Sequence, residues 1–231
     1  VHYFQTIKMP HEIFKCGIIH RMHSFITLAS AISVLGMPAD WHPLQFRRIE
    51  PIHSTVQSEK ITLEVKSSAG GLVRSLPKET RVKSLVVTGS VKGELKVDAD
   101  HLWEKGQDDA FLRVGLIVAG GRSMTTLERL MAPAWICTMD DVLCADGRAP
   151  SAIRSHLLVP HAAWIGKQRP NPHMKQLVDH IVATPGADGR FTMRVDLPQT
   201  LELVGLWLMA DGDDSGSTFT VVVDSLELIA P

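Results

Sequence analysis

The run Asp211-Gly212-Asp213-Asp214-Ser215-Gly216 concentrates groups that could do chemistry. The carboxylates of Asp211, Asp213 and Asp214 crowd negative charge onto one short loop, and a hard cation such as Ca2+ would relieve it. It is not an EF-hand loop. Position twelve would be Val222, where that motif needs a bidentate Glu, and the residues that follow have strand rather than helix character. Two readings remain: a Ca2+ site, or a tight solvated hairpin turn built from residues that tolerate left-handed dihedrals. No other cofactor is implied.

Four of the five tryptophans, Trp103, Trp135, Trp164 and Trp207, are candidates in a chain with 6% aromatic residues. An exposed indole can stack on the apolar face of a sugar, and a buried one simply packs. Trp207 lies in a continuously apolar stretch and reads as core. Trp164, in the segment His161-Ala-Ala-Trp-Ile-Gly-Lys, is the candidate surface aromatic. Asp108 and Asp109 precede an apolar stretch that contains Arg113. These three either form a buried charge pair, line a pocket or sit on a solvated face; the last is the simplest. His156, His161, His173 and His180 show no metal-ligand spacing and default to structural or surface roles. Nucleophile-elbow, phosphate-loop, His-Glu-x-x-His and dinucleotide motifs are absent, which argues against the common hydrolases, nucleotide enzymes and zinc proteases.

Strands must position these residues. Residues 60–66 alternate, with Ile61, Leu63 and Val65 on one face and Lys60, Thr62, Glu64 and Lys66 on the other. Residues 190–196 do the same, and 72–76, 84–91, 111–118, 155–159 and 180–183 are shorter candidates. Residues 203–210 are apolar except Gly205, as for a strand covered on both faces. Residues 218–229 form the last strand, with a register change near Asp224-Ser225. Turn signals fall at 69–71, 119–121, 146–147, 185–189 and 211–216. Residues 124–131 are spaced as a helix that stops before Pro133, and 145–172 is rich in loops. The pattern predicts an all-β fold, an antiparallel β-sandwich of jelly-roll or galactose-binding-like type with one or two short helices.

The chain has 231 residues, 24 basic and 25 acidic, with a formal net charge of −1. That balance excludes a strongly basic nucleic-acid binder. Hydrophobic content of 45% and charged content of 21% exclude wholesale disorder. The first forty residues differ from the rest. Lys8, Lys15 and Arg21 precede an apolar or small run over 25–35, followed by small residues, in the order of a secretory signal peptide. Met22 is a natural start for such a signal, with cleavage expected after Ala39 and Gly36 as a rival site. The competing reading is an amphipathic or buried first helix of the domain. The run is too short for a stable membrane span. Residues 1–39 are thus expected as extension and signal peptide, and 40–231 as the sandwich, periplasmic or secreted. Cys137 and Cys144 are then an even pair in an exported protein. They read as a disulfide or as two free or buried thiols.

Three blocks resemble an uncharacterised bacterial exported family, the domain-of-unknown-function family numbered 3047. They are Ser67-Ser-Ala-Gly-Gly-Leu-Val-Arg-Ser-Leu76, Asp108-Asp-Ala-Phe-Leu-Arg-Val-Gly-Leu-Ile-Val118 and Gly205-Leu-Trp-Leu-Met-Ala-Asp-Gly-Asp-Asp-Ser-Gly216. The resemblance implies a β-sandwich and export, and supplies no activity. The functional expectation is a non-catalytic binding module for carbohydrate or another cell-envelope ligand. Trp164, Arg113, Asp108 and Asp109 are its candidate binding residues, with no nucleic acid and no membrane span after signal cleavage. The alternatives are a polysaccharide-acting enzyme, drawing on Asp108, Asp109, Arg113, His156 and His161, and a structural envelope protein.

Overall fold

A computed structural model describes residues 30–36, 38–57, 59–78, 80–104, 106–172 and 174–231. In chain order the strands are β1 (Ala31–Ser33), β2 (His42–Leu44), β3 (His53–Gln57), β4 (Lys60–Lys66), β5 (Ala69–Ser75), β6 (Arg81–Glu94) and β7 (Ala110–Ala119). Helices α1 (Thr126–Met131) and α2 (Ala134–Leu143) follow, then β8 (Pro150–Leu158), β9 (Gln168–Pro170), β10 (Leu177–Ala183), β11 (Arg190–Asp211) and β12 (Thr218–Ile229). The alternating sequence of 60–66 becomes β4 at the expected bounds. No helix is long and apolar enough to cross a membrane among the described residues.

The strands make an all-β sandwich. The first sheet runs β3-β4-β12-β6 and ends on the first half of β11, with β1 added to β12. The second runs β2-β5, the second half of β11, then β7-β8-β10-β9. Successive strands β4, β5, β6 and β7 alternate between sheets, as jelly-roll connections do. Residues 190–196 and 203–210, read from sequence as separate strands, are one strand of 22 residues. Its pairing with the first sheet jumps register between Asp196 and Leu201 and ends at Glu202, and it enters the second by Leu203. The register change expected near Asp224-Ser225 falls between Val223 and Ser225. One pair departs from the antiparallel expectation: β10 runs parallel to β8.

The main core lies between the sheets. Ile61, Leu63, Leu85, Val87, Val221 and Val223 from the first sheet meet Leu72, Leu112, Val114, Leu116, Leu206 and Leu208 from the second. Phe111 and Phe219 meet edge to face at 5.1 Å. A second apolar cluster covers the outer face of the second sheet, where Met139 and Leu143 of α2 and Leu44 pack on Val73, Ile117, Val204 and Trp207.

Four sequence expectations need correction. Residues 69–71 are not a turn but the start of β5, fully paired with β11. The glycines there serve close packing, since a Cβ on Gly71 would lie 3.0 Å from Trp207 Nε1. Within residues 145–172, the strand expected at 155–159 starts earlier, as β8 from Pro150, and β9 adds a second strand. Cys137 and Cys144 form no disulfide; both are free thiols. They sit seven residues apart in and just after α2, about 10 Å along the axis at 1.5 Å per residue, too far for a bridge. Finally, folded structure begins before residue 40. β1 pairs with β12, and Val34 and Leu35 are buried in the main core. The expected leader up to residue 29 lies outside the described residues.

Candidate functional site

The outer face of the second sheet carries the site, and strand register explains how. Cα partners run Asp179–Ser155–Gly115–Trp207–Val73 across β10, β8, β7, β11 and β5. Gly115 flanks Trp207 in that row, and a Cβ there would press on the indole Cε3 at 3.3 Å. Glycines on both neighbouring strands therefore let the Trp207 ring lie flat on the sheet. Trp135 of α2 packs over it at 6.2 Å, and Phe46 meets Trp135 edge to face at 5.6 Å. These three rings, with Met174, line a cleft of about 380 Å³. Arg113, Asp108, Asp211 and Asn171 form its polar side. Phe46, Asp108 and Asp211 also line an adjoining cavity of about 300 Å³ that holds Asp109, Asp213 and Asp214. The two form one groove, aromatic at one end and acidic at the other.

Arg113 anchors the polar side. Its side chain is 7% exposed, against a solvated face as the simplest expectation. It pairs with Asp179 at 3.3 Å and with Asp211 at 3.5 Å, and donates to the Asp108 carbonyl. Burial opposes its charge, yet Asp179, Asp211, Asp108 and Asp109 together hold the guanidinium more firmly protonated than usual. Arg169 completes the cluster. It pairs with Asp108 at 3.1 Å and lies over the Trp103 ring at 5.0 Å.

At the acidic end, the hairpin between β11 and β12 is tied to Asp109. The Asp109 carboxylate accepts from Ser215 N at 2.9 Å and from Ser215 Oγ at 2.5 Å. Burial pushes the Asp109 carboxyl above its ordinary pKa; the Ser215 hydrogen bonds oppose this, and Asp213 and Asp214 add to it. Burial also pushes Asp211 well above the ordinary value, opposed by Arg113 and reinforced by Asp109 and Asp213. Oxygens of Asp109, Asp211 and Asp213 lie within 4.8 Å of one another, as do those of Asp108, Asp109 and Asp214. Such a donor set either shares protons or suits a hard cation. The loop read from sequence supplies three of these carboxylates; Asp109 links it to the start of β7.

The remaining candidates separate. Trp164 is a correction: its side chain is 1% exposed. Its Nε1 donates to the Ala99 carbonyl at 2.8 Å, so it offers no face to a ligand. His161 contacts that ring at 4.7 Å and bonds the Val97 carbonyl through Nε2. His156 lies on the opposite, inner face of the sheet. His173 lies outside the described residues. The structure thus brings together Asp108, Asp109 and Arg113 with Asp211, Asp213 and Asp214, two sets that the sequence singled out separately, and adds Phe46, Trp135, Arg169, Asn171 and Asp179, which sequence reading missed. Trp135 did carry a signal. Trp135, Met139 and Leu143 follow Pro133 at the four-residue spacing of one helix face. Asp179 and Arg169 carried none, because their partners, Arg113 and Asp108, lie far away in sequence.

No family model matches the chain, and no curated protein matches it. Among solved structures it is distantly similar to the xylan-binding module CBM15, with a TM-score of 0.36 and 13% identity over 87% of this chain and 97% of that one. It is also similar to part of an agarase, with a TM-score of 0.33 and 8% identity over 87% of this chain and 25% of that one.

Proposed function

We propose that this protein is an exported, non-catalytic binding module and that its groove takes a carbohydrate chain of the cell envelope. The observation that carries this reading is the groove itself. Phe46 and Trp135, both half-buried, supply apolar ring faces over a floor made by the buried Trp207, beside Asp108, Arg113, Asn171 and Asp211. A sugar presents the same two characters, C–H faces that stack on aromatic rings and a rim of hydroxyls that bond carboxylate, guanidinium and amide. The ion pairs hold the polar side in place before a ligand arrives, which limits the ordering penalty of binding. The basic residues Lys8, Lys15 and Arg21 ahead of the apolar run that starts at Phe25 support export, with any cleavage falling before β1. A glycan array followed by calorimetry on soluble polysaccharides, xylan among them, tests the reading. Saturable binding to at least one envelope polysaccharide is expected, and none across the panel refutes it.

A second reading, an enzyme acting on polysaccharide, is favoured by one observation. Asp109 and Asp211 keep raised carboxyl pKa values beside the groove. A raised pKa is what a carboxyl needs to serve as a general acid. Release of reducing ends that disappears in Asp211→Asn would replace the binding reading with this one.

A further inference from the structure

A second pocket lies on the inner side of the same sheet, away from the groove. The Cα row His180–His156–Val114–Leu208–Leu72 crosses β10, β8, β7, β11 and β5. Val114, Leu208 and Leu72 belong to the main core. The row changes to histidine on β8 and β10, where the edge of the first sheet turns away along residues 195–201. A cavity of about 380 Å³ opens there, within the size range of small-molecule sites.

Its lining is unusual for a gap between sheets. His156 is 5% exposed, and neither ring nitrogen has a hydrogen-bond partner. Buried polar atoms are normally paired, so two orphaned nitrogens on a side chain that lines the cavity point to a missing partner. Arg154, two residues earlier on β8, also lines the cavity, and no ion pair holds it among the described residues. The one acidic lining residue, Asp196, already pairs with Arg194 at 3.3 Å. His180 and the amides of Gln168 and Gln199 add further polar groups. Val178, Val195, Leu197 and Leu201 form an apolar wall.

We infer that this inner pocket binds a hydroxylated organic monoacid the size of one sugar-acid ring, with its carboxylate on Arg154 and its hydroxyls on His156. The guanidinium fork matches a carboxylate. One fixed cation balances a single negative charge, and a phosphate dianion would be left half-neutralised. A neutral imidazole offers one donor and one acceptor in either tautomer, the complement of a hydroxyl. The apolar wall and the volume call for an organic body rather than a bare inorganic anion.

The inference stands apart from the groove reading, and the test separates them. Calorimetry with glucuronate, and with glucose as its neutral counterpart, uses the full chain, Arg154→Gln, His156→Gln and Trp135→Ala. Arg154 is exposed, so its variant keeps the fold. Glucuronate should bind saturably, glucose at least tenfold more weakly, and Arg154→Gln should weaken glucuronate at least tenfold. His156→Gln should also weaken it, and Trp135→Ala should leave it unchanged. No glucuronate binding at millimolar concentration, equal binding of glucose, or full binding by Arg154→Gln would overturn the inference.

Discussion

Arg113 and Asp179 form an ion pair sealed from solvent, Nη1 to Oδ1 at 3.3 Å, with side chains 7% and 0% exposed. They come from β7 and β10, which are separated by β8. The pair therefore clamps three strands beneath the groove and fixes the guanidinium that also reaches Asp211.

Removing Arg113 leaves the fully buried Asp179 only the more distant Arg169, at 4.0 Å. Arg113→Met should destabilise the fold by about 3 kcal/mol, because a buried carboxylate loses its nearer counter-charge. Arg113→Met with Asp179→Leu should recover much of that loss. Denaturant midpoints check both. A single variant as stable as the parent would show that the pair does not clamp the sheet.

His156 gives the fold a pH dependence of known sign. Burial, with His180 and Arg154 adding to it, lowers its pKa to about 4. In the unfolded chain the ordinary value of about 6.5 returns. Above both values the imidazole is neutral in either state and contributes nothing. As pH falls through 6.5 the unfolded chain takes up the proton and the folded one does not. Stability therefore drops until pH 4, by about 3 kcal/mol in total. Melting curves between pH 7 and 4 should show this loss, and His156→Gln should flatten it. A parent and variant with parallel profiles would contradict the assignment.

Residues 31–35 belong to the sandwich. The Leu35 carbonyl accepts from Trp41 Nε1, and the Val34 carbonyl from Arg74 Nη1, both at 2.6 Å. A chain starting at Asp40 loses these bonds, the β1 pairing and two buried side chains worth about 1.5–3 kcal/mol each. Its melting temperature should fall on the order of 10 °C relative to a chain starting at Ser30. Equal melting would place the domain boundary at 40 after all.

The strands were legible because alternation is local, and β4 shows it in seven residues. The acidic end of the groove was legible for the same reason: Asp211, Asp213 and Asp214 share one loop, and Asp108 and Asp109 are adjacent. The aromatic end was not. Trp135 reaches Trp207 only because α2 folds back over the sheet, a tertiary event that strand periodicity does not report. Trp164 misled because a Gly- and His-containing segment looked exposed, whereas the loop turns its indole inward to the Ala99 carbonyl. The two cysteines misled because their helix went unseen.

Relief of carboxylate repulsion should be measurable at the hairpin. Millimolar calcium should raise the melting temperature of the parent, and chelator should lower it. Asp213→Asn removes one of the charges that push Asp211 and Asp109 upward. That variant should be more stable than the parent without calcium, and less responsive to it. Identical melting in calcium and chelator would leave the loop a plain turn.

Trp135 offers the most direct test of polysaccharide binding in the aromatic groove. It is half-buried on α2, so Trp135→Ala removes a stacking face while circular dichroism and melting confirm the fold. Calorimetry with the polysaccharide selected by the glycan array should show saturable binding to the parent and at least tenfold weaker binding to the variant. Equal affinities would contradict the account.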